Sequence, residues 1–378
     1  MRRRTALRLT AAGAAAPALA GALAPAAAAA PARPRPRITP RPRIRGVDIS
    51  SLPKSEAFGG VYRDFDGSAA DPVRILGRAG SNWARLKVWV DPADGYHTKP
   101  HILAMAQRLR RAGMKLMIDF HYSDTWADPG KQYKPAAWEG LAFPELRQAV
   151  YDHTADILGA LHAQRTPAGM VQIGNELNGG MLWPDGRWDN WPQLAQLLTA
   201  GADAARAASP GIRVALHLAD GGDNGLYRWW FDNAVRYGVP FDVIAASFYG
   251  YWHGTLDDLR ANLGDVSARY GKDVVVVETA YPFTLGSKDF LEDIIDRPSE
   301  LVPGYPATPE GQAAWMRDIC EVVTSVPGDR GLGVFYWEPA WTAVTGNGWD
   351  PADPSSGNGW ENQAWFDYDN RPLPAMRW

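Results

Sequence analysis

Two acidic residues stand at the ends of apolar runs. Glu176 lies near the end of MVQIGNEL (170–177), and Glu278 follows four valines in VVVVETAY (274–281). A carboxylate ending a buried strand is costly unless it reaches solvent or a partner there, so each asks for a cleft. Brought face to face, two such groups can hydrolyse a glycoside. One is held protonated and donates to the leaving oxygen, while the other stays ionised and attacks the anomeric carbon. A separation of about 5–5.5 Å gives retention through a covalent intermediate, and roughly 6.5–9.5 Å admits a water and gives inversion. The competing role is a structural strand-end carboxylate paired with Arg or Lys. Two such residues, with Asn175 beside the first, favour chemistry over that role.

Supporting residues follow from the same chemistry. Arg85 is expected to pair with Glu278 and lower its pKa, and Tyr249 to donate a hydrogen bond to the same carboxylate. Asn175 suits a sugar 2-hydroxyl, a contact that tightens in the transition state. Asp119, His121 and His217 are candidates for other hydroxyls, with plain structural hydrogen bonding as the rival role. Trp337 suits a floor under the sugar, with core packing as its rival. The chain holds 17 Trp, many beside Gly, Pro and Asp, as in SDTWADPGKQ, MLWPDGRWDNW and GNGWDP. Flat apolar rings next to polar groups suit the faces of sugars. Metal-dependent hydrolysis would want several closely spaced His and Asp ligands, but DFHY offers a lone His and neither HxH nor HExxH occurs. No GxSxG elbow supplies a serine nucleophile.

These side chains need a scaffold that gathers strand ends. Eight apolar runs provide one: IRGVDIS at 44, WARLKVWV at 83, KLMIDFHY at 115, MVQIGNEL at 170, RVALHLAD at 213, VIAASFYG at 243, VVVVETAY at 274 and GVFYWEPAW at 333. Amphipathic stretches such as ILAMAQRLRRAG and TLDDLRANLGDVSARY lie between them, the latter with Thr255 as N-cap and Asp257 and Asp258 in its first turn. Alternating strands and helices mean parallel strands. No glycine-rich phosphate turn follows the first strand, so the pattern predicts an α/β (β/α)8 TIM barrel in a single catalytic domain rather than an open doubly wound sheet. The longer gaps, 123–169 and 282–332, should hold insertions as well as helices. Each run begins apolar and turns polar at its carboxyl end, the end at which barrel active sites are built.

The remaining sequence bounds the setting. Residues 1–30, with Arg2, Arg3 and Arg4 ahead of an Ala- and Leu-rich run, read as an export signal of twin-arginine or general secretory type, so a secreted, extracellular protein is expected. Residues 31–44 alternate Pro and Arg and read as an extended linker, leaving 45–378 as the catalytic domain. Residues 1–45 carry ten of the 39 Lys and Arg and none of the 42 Asp and Glu, which leaves 29 basic against 42 acidic residues, a net of −13 for the rest. Such a body repels nucleic acid and anionic lipid and suits a neutral substrate. The single cysteine, Cys320, excludes an internal disulfide and falls on an apolar helical face. No stretch after the signal has the length of a membrane span.

With these residues in view, the chain resembles glycoside hydrolase family 53, the arabinogalactan endo-β-1,4-galactanases. The resemblance rests on RGVDISSL, NWARLKVWVDP, DFHYSDTWADPGKQYKPAAW, VQIGNELNGGMLWP, SFYGYWHGTL, ETAYPFTL, YPATPEGQAAWMRDI, GVFYWEPAW and WENQAWFD, spread from about residue 45 to 370. It implies a secreted retaining enzyme that cuts internal links of β-1,4-galactan, the side chains of pectin, with Glu176 as acid/base and Glu278 as nucleophile. It also implies that Trp126, Trp183, Trp252, Trp337 and Trp341 line an elongated cleft. Bacterial relatives often hold calcium in an Asp- and Asn-rich loop after the seventh strand. Here TLGSKDFLEDIIDRP places Gly286, Ser287 and Lys288 where oxygen ligands are expected, so no cofactor is expected to be required; Asp289, Glu292 and Asp293 keep a remodelled calcium site open. A monomer is expected. The alternatives are an endo-β-1,4-mannanase or xylanase on a similar barrel, or a non-catalytic carbohydrate-binding barrel that keeps the aromatic cleft.

Overall fold

The computed structural model describes residues 41–378; the segments expected to be an export signal (1–30) and most of a linker (31–44) lie outside the described residues. Eight parallel strands close into a barrel: β1 (Ile44–Asp48), β2 (Trp83–Val88), β3 (Lys115–Phe120), β4 (Met170–Ile173), β5 (Arg213–Leu218), β6 (Val243–Ser247), β7 (Asp273–Glu278) and β8 (Gly331–Trp337). Each strand pairs with its neighbours in sequence, and β8 returns to pair with β1, Ile44 opposite Gly333 and Asp48 opposite Trp337. The (β/α)8 architecture expected from the alternating pattern is the one found.

Two helices, α1 (Leu52–Ala57) and α2 (Pro72–Ala79), join β1 to β2. One helix follows each of the next six strands: α3 (Lys99–Arg111), α4 (Phe143–Ala163), α5 (Trp191–Ala208), α6 (Asn224–Arg236), α7 (Leu256–Tyr270) and α8 (Pro309–Thr324). Local sequence sets their ends. Thr255 accepts from the Asp258 amide at 3.1 Å while Asp258 reaches back to the Thr255 amide at 2.9 Å, the reciprocal box that starts α7. Cys320 is buried on α8, and burial pushes its thiol up to about 12, so it is inert packing. Among the described residues no helix is long and apolar enough to cross a membrane.

Strand alternation divides the core into two layers. Val274 and Val276 face outward into the helix layer, whereas Val275 and Val277 face inward with Trp83, Met117, Met170, Ala215, Ala245 and Phe335. Gly46 leaves room for the Phe335 ring, which a Cβ at 46 would overlap. Two residues further along each strand the inward positions turn polar: Arg85 after Trp83, Asp119 after Met117, Gln172 after Met170, His217 after Ala215 and Ser247 after Ala245. The barrel interior is therefore an apolar plug topped by a layer of buried polar groups.

Candidate active site

Glu278 lies one residue beyond Val277, so strict alternation would turn it outward towards the helices. The ladder between β6 and β7 slips there: Ala246 pairs with Val276, but Ser247 pairs with Glu278. This bulge re-aims the carboxylate into the mouth of the barrel. Glu176 arrives differently. β4 stops at Ile173, Gly174 takes φ +80°, and Glu176 itself takes the left-handed φ +46°, ψ +60°. Such a backbone costs a non-glycine residue on the order of 1–2 kcal/mol. It turns the side chain into the same cleft.

That cleft has a volume of about 600 Å³ and is lined by Glu176, Glu278 and a wall of aromatic rings. Glu278 is bound on both oxygens: Oε1 lies 2.9 Å from Arg85 Nη2, and Tyr249 donates its hydroxyl to Oε2 at 3.0 Å. Arg85 also meets Asp48 and Asp119 at 2.8 Å each and donates to Gln172 and to Asn175 Oδ1. One guanidinium thus joins side chains from β1, β3, β4, the turn after β4, and β7. Burial alone would lower its pKa, but Asp119, Glu278 and Asp48 together raise it, so its charge is permanent.

Glu176 is held more lightly. Ser247 donates its hydroxyl to Oε1 at 2.7 Å, and His217 Nε2 lies 2.8 Å from the same serine oxygen. His217 Nδ1 lies 3.3 Å from the Glu176 backbone N–H, 3.0 Å from the Gln172 amide and 2.9 Å from Asn175 Oδ1, while Ser247, whose single hydrogen goes to Glu176, is left to accept from Nε2–H. Burial, then the charge of Arg85, depresses His217 well below its usual pKa, so it is neutral. A relay of donors runs from His217 through Ser247 to Glu176.

The two carboxyls differ in charge state. Burial and then the nearby Glu278 push Glu176 well above the ordinary carboxylate range, with only Ser247 and a distant Arg85 opposing. Glu278 is also raised, burial first, with Asp119 and Asp48 adding to it; this corrects the expectation that Arg85 lowers it overall. The direct Arg85 pair and the Tyr249 hydrogen bond oppose that rise, so Glu278 is the member that ionises first.

The other candidates divide into those at the cleft surface and those beneath it. Trp126, Trp252, Trp337 and Trp341 line the cleft, as do Arg85, His121, Asn175 and Tyr249. Trp126 stacks on Trp341 with centroids 6.0 Å apart, and Trp337 stands edge-on to Trp341 at 5.8 Å. Asn175 gives Oδ1 to Arg85 and one Nδ2 hydrogen to the Ala127 carbonyl at 2.8 Å, which leaves its second hydrogen for a ligand. His121 faces the cleft with both nitrogens engaged, Nε2 on Asp119 at 3.0 Å and Nδ1 receiving Trp89 Nε1 and the Ala127 amide. Asp119 and His217 are wholly buried below the surface and position other groups instead of reaching a sugar. Trp183 is not in the cleft wall. Its indole N–H is tied to the Gly179 carbonyl at 2.7 Å and its ring stands edge-on to Tyr133 outside the rim.

Several site residues escaped the sequence reading. Lys87, two positions after Arg85 on β2, lies 2.9 Å from Glu338 and 4.1 Å from the centroid of Trp126, bracing that ring from below. Burial raises Glu338 to about 7 despite that ammonium. Spacing of two residues on an inward-facing strand was the available signal for Lys87. Trp349, Asp128, His253 and Trp360 fall within the quoted stretches GNGWDP, SDTWADPGKQ, SFYGYWHGTL and WENQAWFD, but none stands at a strand end, so spacing did not single them out.

The loop after β7 was tested for calcium by its donors. Both Asp289 oxygens are taken, by the amides of Leu291 and Asn358 at 2.7 Å each, and Glu361 Oε1 accepts the amides of Lys288 and Asp289. Both oxygens of buried Asp293 and Oε2 of Glu361 lack a hydrogen-bond partner. Burial, together with Glu361 and Asp289, raises Asp293 to about 7. Among the described residues no three His, Cys, Asp or Glu side chains gather to hold a metal. Asp293 and Glu361 would offer three unpaired carboxyl oxygens and Asn362 its unpaired Oδ1, so backbone carbonyls or waters would have to complete the six to eight oxygens calcium takes.

The model for glycosyl hydrolase family 53 matches residues 44–378. The chain belongs to that family. This family 53 hydrolase is 35% identical to an endo-beta-1,4-galactanase of Bacillus subtilis (strain 168), across 88% of this chain and 84% of the relative. It is 37% identical to an arabinogalactan endo-beta-1,4-galactanase of Thermothelomyces thermophilus, across 79% of this chain and 89% of the relative. The Ignisphaera aggregans GH53 catalytic domain superposes with a TM-score of 0.85 at 42% identity, covering 88% of this chain and 94% of that one. The family 53 barrel and the cleft described above are thus parts of a glycosidase with galactanase homologues in several species.

Proposed function

We propose that this family 53 enzyme is a secreted endo-hydrolase of β-1,4-galactan that works with retention of configuration. The observation that carries the reading is the asymmetric pair in one cleft: Glu278 clamped by Arg85 and Tyr249, and Glu176 held high in pKa with a single serine donor. Protonated Glu176 donates to the glycosidic oxygen as the bond from that oxygen to the anomeric carbon breaks, so the leaving sugar departs with a hydroxyl while Glu278 attacks the anomeric carbon and forms the glycosyl ester. Glu176, now ionised, takes a proton from a water as that water's oxygen attacks the anomeric carbon on the face the leaving sugar vacated, opposite the ester, and the bond to Glu278 breaks to free the carboxylate. Asn175 offers its free amide hydrogen to the 2-hydroxyl, and the Trp126, Trp337 and Trp341 rings take the apolar faces of the sugars. No step calls for a metal. Export is supported by the Arg-led, Ala-rich opening of the chain.

The test replaces Glu278 by Gln and measures reducing ends released from unbranched β-1,4-galactan. The variant should lose at least about 1,000-fold in rate; near-normal activity would end the proposal. Proton NMR of an early digest should show the β anomer first, and prompt α anomer would contradict retention. Galactan should be preferred in a panel with mannan and xylan, and preference for either of those would reassign the substrate.

A further inference from the structure

A second cluster of aromatic side chains stands outside the cleft, on the surface formed by the start of α5 and the length of α6. Trp188 is 44% exposed, Trp229 is 40% exposed and Tyr237 is 40% exposed. Trp188 and Trp229 meet edge to face at 5.9 Å, and both Trp229 and Tyr237 rest on buried Trp191, at 6.3 and 6.0 Å. Packing therefore fixes these rings from behind and leaves their outer faces to solvent. Arg187 and Asp189 flank them, 3.6 Å apart. Tyr237 also forms one wall of a groove of about 470 Å³ whose other walls include Arg147, Gln148, Gln196, Thr199 and Asp203.

We infer that this surface is a second carbohydrate site, which holds a distant stretch of the same β-1,4-galactan chain that the cleft cuts. The inference rests on the function proposed above. Rigid aromatic faces bordered by amide, hydroxyl, carboxylate and guanidinium groups are the chemistry that receives a neutral sugar, whose C–H face stacks while its hydroxyls find donors and acceptors. The exposed rings amount to about 250–300 Å², well under the roughly 800 Å² per partner that a stable subunit contact buries. The net charge of −13 beyond residue 45 disfavours a polyanion. The shelf is also continuous with the cleft rim. The Gly179 carbonyl accepts both the Trp183 indole at 2.7 Å and the Trp188 amide at 3.2 Å. Arg187 stands 5.5 Å from the Trp183 ring, and Trp183 meets Tyr133, two residues beyond Lys131 of the rim.

The test compares the double variant W188A/W229A, which keeps Trp191 in place, with the unaltered protein. Native gels containing dissolved β-1,4-galactan read binding, with E278Q added to both proteins to prevent digestion. Hydrolysis of β-1,4-galactotetraose, with Glu278 intact, reads the cleft alone. Retardation in the gel should fall at least fivefold while tetraose hydrolysis stays within twofold. Equal retardation overturns the inference, and so does a loss of tetraose hydrolysis beyond tenfold in a variant whose circular dichroism is normal. Should the double variant fail to fold, W229A alone carries the same comparison. A dimer in sedimentation velocity that the substitutions dissolve would also overturn it, because the shelf would then be a subunit contact. Failure of the unaltered protein to cut galactan would count against the proposed function, whereas unchanged retardation alone counts against the shelf.

Discussion

Replacing Ser247 by Ala tests the division of labour between the two carboxyls. The serine hydroxyl donates to Glu176 Oε1 at 2.7 Å and favours the ionised form of that acid. A hydrogen bond to a charged group contributes about 1.5–3 kcal/mol, and one to a neutral group about 0.5–1.5 kcal/mol. Removal should therefore cost the carboxylate about 1 kcal/mol more than the carboxylic acid, and raise the Glu176 pKa by about 0.7 units. Glu176 must be protonated to act, so activity falls as pH rises through its pKa. The alkaline limb of kcat/KM, which reports the free enzyme, should move upward by about 0.5–1 pH unit, while the acid limb, set by Glu278, stays in place. His217 Nε2–H also loses its partner, so the variant should be less stable by about 1–3 kcal/mol in thermal unfolding. The assay is initial rates on soluble galactan from pH 4 to 10. An alkaline limb that stays fixed, or moves down, would refute the assignment of Glu176 as the acid held by Ser247.

Asp293 titrates near 7 in the folded chain against about 3.9 unfolded, so the stability associated with its neutral form is present at low pH and lost as pH rises through 7. Asp293→Asn should match the original protein at pH 4 and exceed it at pH 8 by about 1–2 kcal/mol, a figure discounted for solvent reaching the loop; equal denaturation midpoints at pH 8 would refute this. Gly46→Ala would press a methyl into the Phe335 ring inside the barrel, and should lower stability by at least about 1–3 kcal/mol in urea titration.

The barrel was legible because its signal is repetitive: eight apolar runs, each turning polar at the same end, admit few other folds. Glu176, Glu278, Arg85 and Tyr249 were legible for the same reason, since a strand end fixes a side chain's place to within one turn of chain. Whether a side chain lies at the surface of the mouth or beneath it was not legible. Asp119 and His217 occupy strand ends as Glu176 and Glu278 do, yet hydrogen bonds to Arg85, Gln172 and Ser247 draw them under the floor. The direction of Glu278 depends on a slipped ladder between β6 and β7, a backbone event its valine-rich sequence does not announce. Trp183 was misplaced because a tryptophan beside a motif looks the same whether its indole N–H faces the cleft or is tied back to Gly179. The net rise in the Glu278 pKa depends on how many buried carboxylates share one guanidinium, which spacing along the chain cannot count.

Arg85 fastens the staves of the barrel as well as the Glu278 carboxylate, since Asp48, Gln172 and Glu278 come from three different parts of the ring. Heating should therefore leave no window in which the shell persists while the catalyst has already gone slack. Inactivation and melting belong to one event, and the working parts fail only when the frame does.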